Sequence, residues 1–480
     1  MLNDVYVKGD KMMETEVKND REIDLSMYKK LGMKTKSSHF IKWYNAGLLN
    51  NIDENFIEEI QKYWDSNYNK KVDPSLHVAF ASLTGKKDTR VIPGRIMTRE
   101  ILPFLNDYNK SLFYGDKNLY DIVIKAPRSV ETILRNIRGK YYDSNYNSID
   151  VKEAISILLS KNIDLIVKPS QTNNGTGIRK IKIEDNNIYL ADEIITFEYL
   201  EKLYEENFMV QNVIQQHPIM AAPHPSSVNT LRMVTLRWNN KIRYLLAYAR
   251  FGSENEIRDN VGINGIRLGI SDSGVFHNIG IDKDGKMYTH HPTTDFCFAN
   301  LDPIPNFDSF KQFVIETHKN ILHLDFISWD IVVGSDGKPI FLEANFAGSP
   351  AFYQLASQKP IFGDLTEEIL SFVKKELETK EPLLMKKHRL KIKAKENKKK
   401  ENQLKRIKQR NKKLIRQNKK IEKEKQILHQ KLDDQKKELN LIKRSHKKKV
   451  EQLRDKNLAI LNSKSYRYTR PLRKLSNWFK

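Results

Sequence analysis

Apolar, β-favouring runs separated by turn residues dominate the middle of the chain. Residues 163–169, 180–183, 208–214, 231–238 and 242–251 predict strands, whereas 151–161 and 309–322 carry apolar residues at helical spacing. Residues 1–110 differ in texture. An amphipathic stretch at 55–68 and the Pro/Gly-punctuated segment Val91-Ile92-Pro93-Gly94-Arg95 predict a helical leading region without a catalytic cluster. Segregated strand and helix runs from residue 111 to about 380 predict an α+β body. Beyond residue 384 aromatics vanish until Tyr466, and Leu404, Asn411, Asn418, Lys425, Leu432 and Leu439 recur every seven residues. Ile407, Leu414, Ile421 and Leu428 stand three after the first four, so residues 381–463 predict a basic helix with a heptad seam. Asn at core positions of such a seam favours a defined, usually dimeric, register. A solitary charged helix is the alternative.

The densest chemistry lies at residues 329–345. Residues 331–333 and 340–342 are apolar and Gly334-Ser335-Asp336-Gly337 between them is a turn cluster, which predicts a hairpin. Asp330 and Glu343 then sit near one end, and Glu343 and Asn345, two apart on one strand, project from the same face. Mg²⁺ takes octahedral oxygen ligands, usually one or two carboxylates plus substrate phosphates, so Asp330, Glu343 and Asn345 form a candidate half-shell. On this segment alone, an ordinary hairpin with polar rims is an equal alternative. Upstream, Lys168 ends a predicted strand and leads into a small-residue loop containing Gly175-Thr176-Gly177. The glycines let backbone N–H groups close on phosphate oxygens without a Cβ in the way, and Lys168 adds a cation. Most Gly-Thr-Gly turns only join strands; the lysine before this one and the carboxylates after it point to a nucleotide.

Charge changes the picture at one end only. The 480 residues carry a net +23, yet residues 381–480 hold 36 Lys and Arg against 10 Asp and Glu, a net of +26 that leaves the first 380 at −3. A near-neutral body needs no polyanionic partner, whereas the tail suits anionic lipid or another polyanion. Its final segment, 464–480, interleaves Tyr466, Tyr468, Trp478 and Phe479 with cations, a composition suited to an anionic membrane surface. Cys297 is the single cysteine, which excludes an intramolecular disulfide, and its setting between Phe296 and Phe298 suits packing better than nucleophilic work. The first residues lack the apolar centre of a signal peptide and no run of roughly 18 apolar residues occurs, so the expected location is the cytoplasm, at the inner membrane face where the tail engages lipid.

Other motifs fall away. Gly280 to Lys286 approaches a P-loop but places Met287 where a metal-binding hydroxyl is required, and Asp282-Lys283-Asp284-Gly285 reads better as a turn between strands. His290 and His291 near Asp295 and Cys297 lack a second ligand pair at zinc spacing. His217 and His224 flank prolines; His217 is placed to reach a ribose, and His224 is expected on the surface. Arg232 and Arg250 interrupt apolar strands, where each either pairs with a structural carboxylate or faces the site to hold a γ-phosphate or substrate carboxylate.

Taken in order, these motifs resemble the ATP-grasp superfamily of carboxylate-amine ligases. Asp116-Lys117 resembles the Asp-Lys that supplies its first phosphate-side lysine, Lys168-Pro169 the second lysine before the glycine-rich flap, and residues 208–214 the hinge whose backbone meets adenine. Many members carry Glu where this chain has Gln211. Asp330, Glu343 and Asn345 match the metal-binding Asp and Glu-x-Asn with the separation seen in D-alanine-D-alanine ligases. Gln216-His217-Pro218, the stretch from Ser226 through Asn229 and Arg232 to Leu236, Arg250 and Asp259-Asn260 are similar to the sugar-transfer-associated ATP-grasp family of bacterial surface-polysaccharide gene clusters, although that family often has Gly-Gly where Asn264-Gly265 stands. The resemblance covers roughly residues 110–360. The ending from Ser463 to Arg473 resembles the terminus of some capsule and cell-wall glycosyltransferases.

The resemblance implies two α+β lobes enclosing ATP and Mg²⁺, with Lys117, Lys168, Gly175, Thr176, Gly177, Gln211, Asn212, Val213 and His217 at the nucleotide, Asp330, Glu343 and Asn345 at the metal, and Arg232 and Arg250 at the transferred phosphoryl group. It implies ligation of a carboxylate to an amine through an acyl phosphate, on sugar-linked substrates of capsule or surface-polysaccharide assembly. A silent ATP-binding regulator, or a basic scaffold for membrane or nucleic acid, are the alternatives. The intact acidic trio opposes the first and the near-neutral body the second. A homodimer through the tail is the expected assembly.

Overall fold

The computed structural model describes residues 25–171, 176–254, 265–346, 348–380 and 383–469. Gly175, Asp259, Asn260, Asn264 and most of the terminal aromatic-basic segment therefore lie outside the described residues. The chain divides into two units, Met1–Lys387 and His388–Lys480.

The first unit begins with helices whose ends are written in the sequence. Ser37 caps α1 (Ser38–Asn45) by accepting from the Phe40 N–H, and Asp53 caps α2 (Glu54–Tyr68) through Phe56. Asn69 and Gly85 end α2 and α3 (Ser75–Thr84) in the left-handed conformation. The predicted amphipathic stretch 55–68 is thus α2, with Phe56, Ile57, Ile60, Trp64 and Tyr68 buried.

Two antiparallel sheets follow. The first contains β1 (Thr132–Ile137), β2 (Lys140–Tyr142), β3 (Ser148–Ile149), β4 (Asp164–Pro169), β5 (Arg179–Glu184), β6 (Asn187–Leu190), β7 (Glu193–Ile195) and β8 (Phe208–Asn212), in the order β3-β2-β1-β8-β4-β5-β6-β7. The helices α4 (Val151–Leu159) and α5 (Phe197–Tyr204) contribute Ala154, Leu158, Phe197 and Leu200 to its core with Leu134, Leu165, Val167 and Phe208. The second sheet has the order β13-β12-β11-β10-β9-β14-β15, built from β9 (Thr230–Trp238), β10 (Lys241–Phe251), β11 (Ile266–Ile270), β12 (Phe276–Ile281), β13 (Met287–Tyr288), β14 (Phe326–Val333) and β15 (Pro339–Asn345). All the strand runs read from the sequence are strands here, and residues 282–285 form the expected turn between β12 and β13, with Gly285 at φ +91°.

The second sheet is covered on both faces. On one, α6 (Phe307–Lys319) brings Phe310 and Val314 against Leu231, Met233, Trp329 and Phe341. The other meets the leading helices and α7 (Pro350–Ser357) and α8 (Thr366–Thr379): Trp64, Met97, Tyr353 and Ile369 pack with Val234, Leu236, Tyr248 and Phe326. The leading helices thus share a core with the sheet that carries the candidate metal residues. Full burial of such side chains contributes about 1.5–3 kcal/mol each, which fixes the floor of the site.

The second unit is mainly α9 (Leu383–Asn462), 80 residues in one helix, about 120 Å at 1.5 Å per residue. The seam residues Leu404, Ile407, Leu414, Ile421, Leu428, Leu432 and Leu439 are all exposed along it. Among the described residues no helix is long and apolar enough to cross a membrane.

Candidate active site

Strand register assembles the polar row. β14 and β15 pair with Asp330 opposite Glu343 and Ser328 opposite Asn345, and a bulge beside Asp330 shifts the pairing before Ile331 meets Phe341. β9 sets Arg232 opposite Asp330, β10 sets Tyr248 opposite Arg232, and β11 sets Arg267 opposite Arg250. Side chains alternate across a sheet, so Glu343, Asp330, Arg232, Tyr248, Arg250 and Arg267 share one face, the face under α7.

Asp330 is the hub. Arg232 Nε lies 2.6 Å from its Oδ1, an ion-pair contact outside hydrogen-bond alignment, while Arg232 Nη2 and Arg250 Nη1 donate to Oδ2 at 3.1 and 2.9 Å. Asn345 Nδ2 donates to the same oxygen at 3.3 Å. Both arginines do pair with a carboxylate, and it is the one assigned to the metal. Tyr353 on α7 holds the far side of Arg232, accepting from Nη1 at 3.1 Å and lying 3.2 Å from Ser328 Oγ. Burial opposes the Arg232 charge, but Asp330 together with Tyr353, Tyr248 and Glu343 outweighs it and raises its pKa well above the usual arginine range.

The first sheet supplies the opposing wall. Asp116 caps the turn that carries Lys117, Gln171 Nε2 donates to Asp116 at 2.9 Å, and the Lys117 N–H donates to Ser170 O at 3.0 Å. These bonds bind the Asp-Lys pair to the base of the glycine loop. Lys117 Nζ lies 3.3 Å from Glu343 Oε1, bridging the two walls. Lys168 is buried and makes no ion pair among the described residues; burial first, then the neighbouring Lys117 charge, push its pKa down to about 8. Tyr120, its ring tilted against that of Phe341, has its hydroxyl pKa pushed well up by burial and by Glu343. A narrow pocket between the walls is lined by Lys117, Tyr120, Val130, Thr132, Lys168, Met209, Gln211, Phe341 and Leu342.

The remaining expected nucleotide residues stand along this pocket and the strand leaving it. Gln211 donates to Thr132 Oγ1 at 2.9 Å; Asn212 donates through its backbone to Glu131 O at 3.1 Å and through its side chain to Glu131 at 2.7 Å. Val213 is the first residue beyond the β8 ladder. His217 binds the hairpin through its N–H to Val333 O at 2.8 Å, and its ring Nδ1 accepts from the Ile219 N–H at 3.2 Å. Thr176 is exposed at the edge of the loop. Gly177 has φ +82°, its carbonyl accepts from the Tyr204 hydroxyl, and a Cβ there would stand 2.9 Å from Pro169 Cγ, so only glycine fits.

His224 corrects the reading from sequence. It is buried, not on the surface, with its ring nitrogens 2.7 Å from Ser227 Oγ and 2.8 Å from Glu254 O. A prolyl loop that folds back on the sheet needs such a tie for its backbone. His290 is exposed while His291 is buried and bonded to Gly252 O, and no group of three or more His, Cys, Asp or Glu is placed to hold a metal among the described residues. Sequence reasoning missed Tyr120, Tyr353 and Arg267. A charged residue inside an apolar strand, the signal that found Arg232 and Arg250, was present at Arg267; the tyrosines gave none.

Residues 75–369 match the family described as sugar-transfer associated ATP-grasp. No curated protein matches the chain. Among solved structures, the ATP-grasp ligase PsnB complexed with minimal precursor is similar at 13% identity, covering 56% of this chain and 63% of that one, with a TM-score of 0.32. The D-alanine–D-alanine ligase from Bacillus anthracis gives 13% identity, 57% and 72% coverage and a TM-score of 0.31. That from Coxiella burnetii gives 12%, 59%, 64% and 0.33. The chain thus spans less than two thirds of the length of PsnB.

Proposed function

From the premise that this chain belongs to the sugar-transfer associated ATP-grasp family, we propose that it is an ATP-dependent ligase that activates a carboxylate as an acyl phosphate and joins it to an amine. One observation supports this reading above the rest: Asp330 and Glu343 meet across two strands, and among the described residues their carboxylate oxygens lie against Arg232, Arg250, Lys117 and the Asn345 amide. Arg232, Arg250 and Lys117 occupy, in the protein alone, the charge that a metal and phosphates would exchange for. The donor set fits Mg²⁺, since two carboxylates and an amide oxygen leave room for phosphate oxygens.

Asp330, Glu343 and Asn345 would hold Mg²⁺, which neutralises phosphate charge when MgATP binds. Lys117 and Lys168 receive the phosphates from the opposite wall. Arg232 and Arg250, released from Asp330, turn N–H groups toward the transferred phosphoryl group. A substrate carboxylate oxygen attacks the γ-phosphorus, the β,γ-bridging bond breaks and ADP leaves. The amine nitrogen then attacks the acyl carbon, inorganic phosphate departs and the nitrogen loses a proton. Positioning and electrostatics suffice for both steps, consistent with a row made of cations and metal-type ligands. For the substrates we propose a uronic acid or similar carboxylated sugar and an amino acid, in surface-polysaccharide assembly. Incubation with MgATP and a panel of uronic acids and amino acids tests this: ADP release must require one acid and one amine together. ADP release indifferent to both, or none with any pair, overturns it.

A further inference from the structure

We propose that Arg267, beside Arg250 on the neighbouring strand, forms a second anion subsite on the site face, which binds a carboxylate or phosphate group carried by the non-nucleotide substrate; this rests on the ligase reading above.

Arg267 lies opposite Arg250 in the β10–β11 register, on the same face as the row that runs from Glu343 through Asp330 and Arg232 to Tyr248 and two residues along the strands from it. Adjacent strands are about 4.8 Å apart and two residues span about 7 Å, so its backbone stands about 16 Å from that of Asp330. Unlike Arg232 and Arg250 it pairs with no carboxylate among the described residues. Its Nη1 is sealed from solvent without a hydrogen-bond partner, and it makes no ion pair among the described residues. Asp282, the acid that acts on it electrostatically, is committed to its own turn through the Asp284 and Lys286 N–H groups and the Tyr288 hydroxyl.

The guanidinium is held rather than loose. Phe352 on α7 packs over it, 4.2 Å from the ring centroid, which orients the planar fork. The residue as a whole is only partly covered, although Nη1 itself is enclosed. Burial and the Arg250 and Arg232 charges lower its pKa to about 10, still well above neutrality, so it stays a cation at working pH. A buried cation without a counter-charge is costly to keep and gains most from an anion. Charge balance leads to the same place. Lys117, Lys168, Arg232, Arg250 and Arg267 face Asp330 and Glu343, and MgATP brings two negative charges, which leaves one cation over. Arg267 stands on β11, the strand of this set farthest from the Glu343 that Lys117 meets, so the leftover anion belongs to the second substrate. A guanidinium fork takes carboxylate and phosphate alike.

The test uses the full-length protein saturated with MgADP, titrated with malonate or inorganic phosphate at constant ionic strength and followed by calorimetry. Wild type binds at least one probe, and Arg267→Met, which keeps an apolar contact with Phe352, weakens that binding at least tenfold while MgADP affinity stays within twofold. A larger loss for malonate assigns the subsite to a substrate carboxylate; a larger loss for phosphate assigns it to a phosphorylated substrate. Equal anion binding in wild type and variant, no binding of either probe to wild type, or a matching loss of MgADP affinity each overturns the proposal. Should Arg267→Met fail to fold, Arg267→Lys replaces it: loss of the fork with charge retained must still weaken the probe, and unchanged binding overturns the proposal. Failure of the ligase reading looks different, since wild type would then not bind MgADP, while dependence of anion binding on Arg267 is still readable without nucleotide.

Discussion

Lys168 is a buried ammonium beside a second ammonium, Lys117, and the Glu343 carboxylate near both already lies 3.3 Å from Lys117. Its pKa of about 8 is below the ordinary lysine value, and bound phosphates must raise it. MgATP affinity is therefore full below about pH 8 and falls as pH climbs through it, by at most about tenfold per unit. Lys168→Ala weakens MgATP binding about 10- to 100-fold, the worth of a charged hydrogen bond, and flattens that pH profile. Nucleotide titrations between pH 6.5 and 9.5 check both. The two carboxylates differ in the same spirit. Asp330 is buried under two guanidiniums, so Asp330→Asn leaves them uncompensated and costs about 3–5 kcal/mol in urea unfolding. Glu343 is 23% exposed, so Glu343→Gln abolishes ADP release but costs under about 1 kcal/mol in the same assay. Residue types and spacing brought forward Asp330, Glu343, Asn345, Lys168 and both arginines, and the structure places Asp330, Asn345 and both arginines in contact. They did not reveal that the arginines hold Asp330 in the protein alone, because that depends on the register of β9 and β10 with β14.

At the scale of elements, the hairpin was readable because its turn cluster and its two apolar runs agree on one register. The bulge beside Asp330 was not, since nothing in Phe341-Leu342-Glu343 marks an extra residue. Nor was the contact of the leading helices with the second sheet, which depends on Trp64 and Tyr353, far apart in the chain, joining one core. Behind the site, the Trp329 indole donates to Thr235 Oγ1 at 2.8 Å, and His318 lies 2.7 Å from the same oxygen with its other nitrogen 2.9 Å from Leu324 O. Burial pushes His318 down to about 3, and burial pushes His77, beside Trp64 on the other face, down to about 4. Both folded values lie below the unfolded one near 6.5, so the unfolded chain takes up protons first as pH falls. Stability is thus full above about pH 6.5 and drops by up to about 1.4 kcal/mol per pH unit for each histidine below it. Urea midpoints at pH 7.5, 5.5 and 4.5 measure this. Replacing His318 with Gln, which keeps hydrogen bonding without titration, makes the slope shallower.

For the whole molecule, the charge division follows the division of the chain. Residues 1–380, at −3, carry the candidate site, and residues 381–480, at +26, include the long helix α9 with its exposed apolar seam. We expect removal of residues 388–480 to leave nucleotide binding and ADP release intact while abolishing dimerisation and association with anionic vesicles. Each cation near such a surface contributes about 1 kcal/mol, so the binding must be salt-sensitive. Sedimentation equilibrium and vesicle pelleting at low and high salt decide both parts; equal pelleting of full-length and truncated protein removes the tether. The helix and its charge were plain from composition and heptad spacing, whereas its partner is a property of a second surface that one sequence does not contain. If the Asp330–Glu343 pair and the opposing lysines form a MgATP cleft, calorimetric titration of ATP into the full-length protein with and without Mg²⁺ shows it. Binding is then saturable, weakens at least tenfold when Mg²⁺ is withheld and loses this dependence in Glu343→Gln. Binding indifferent to Mg²⁺, or equally Mg²⁺-dependent in wild type and Glu343→Gln, would contradict it.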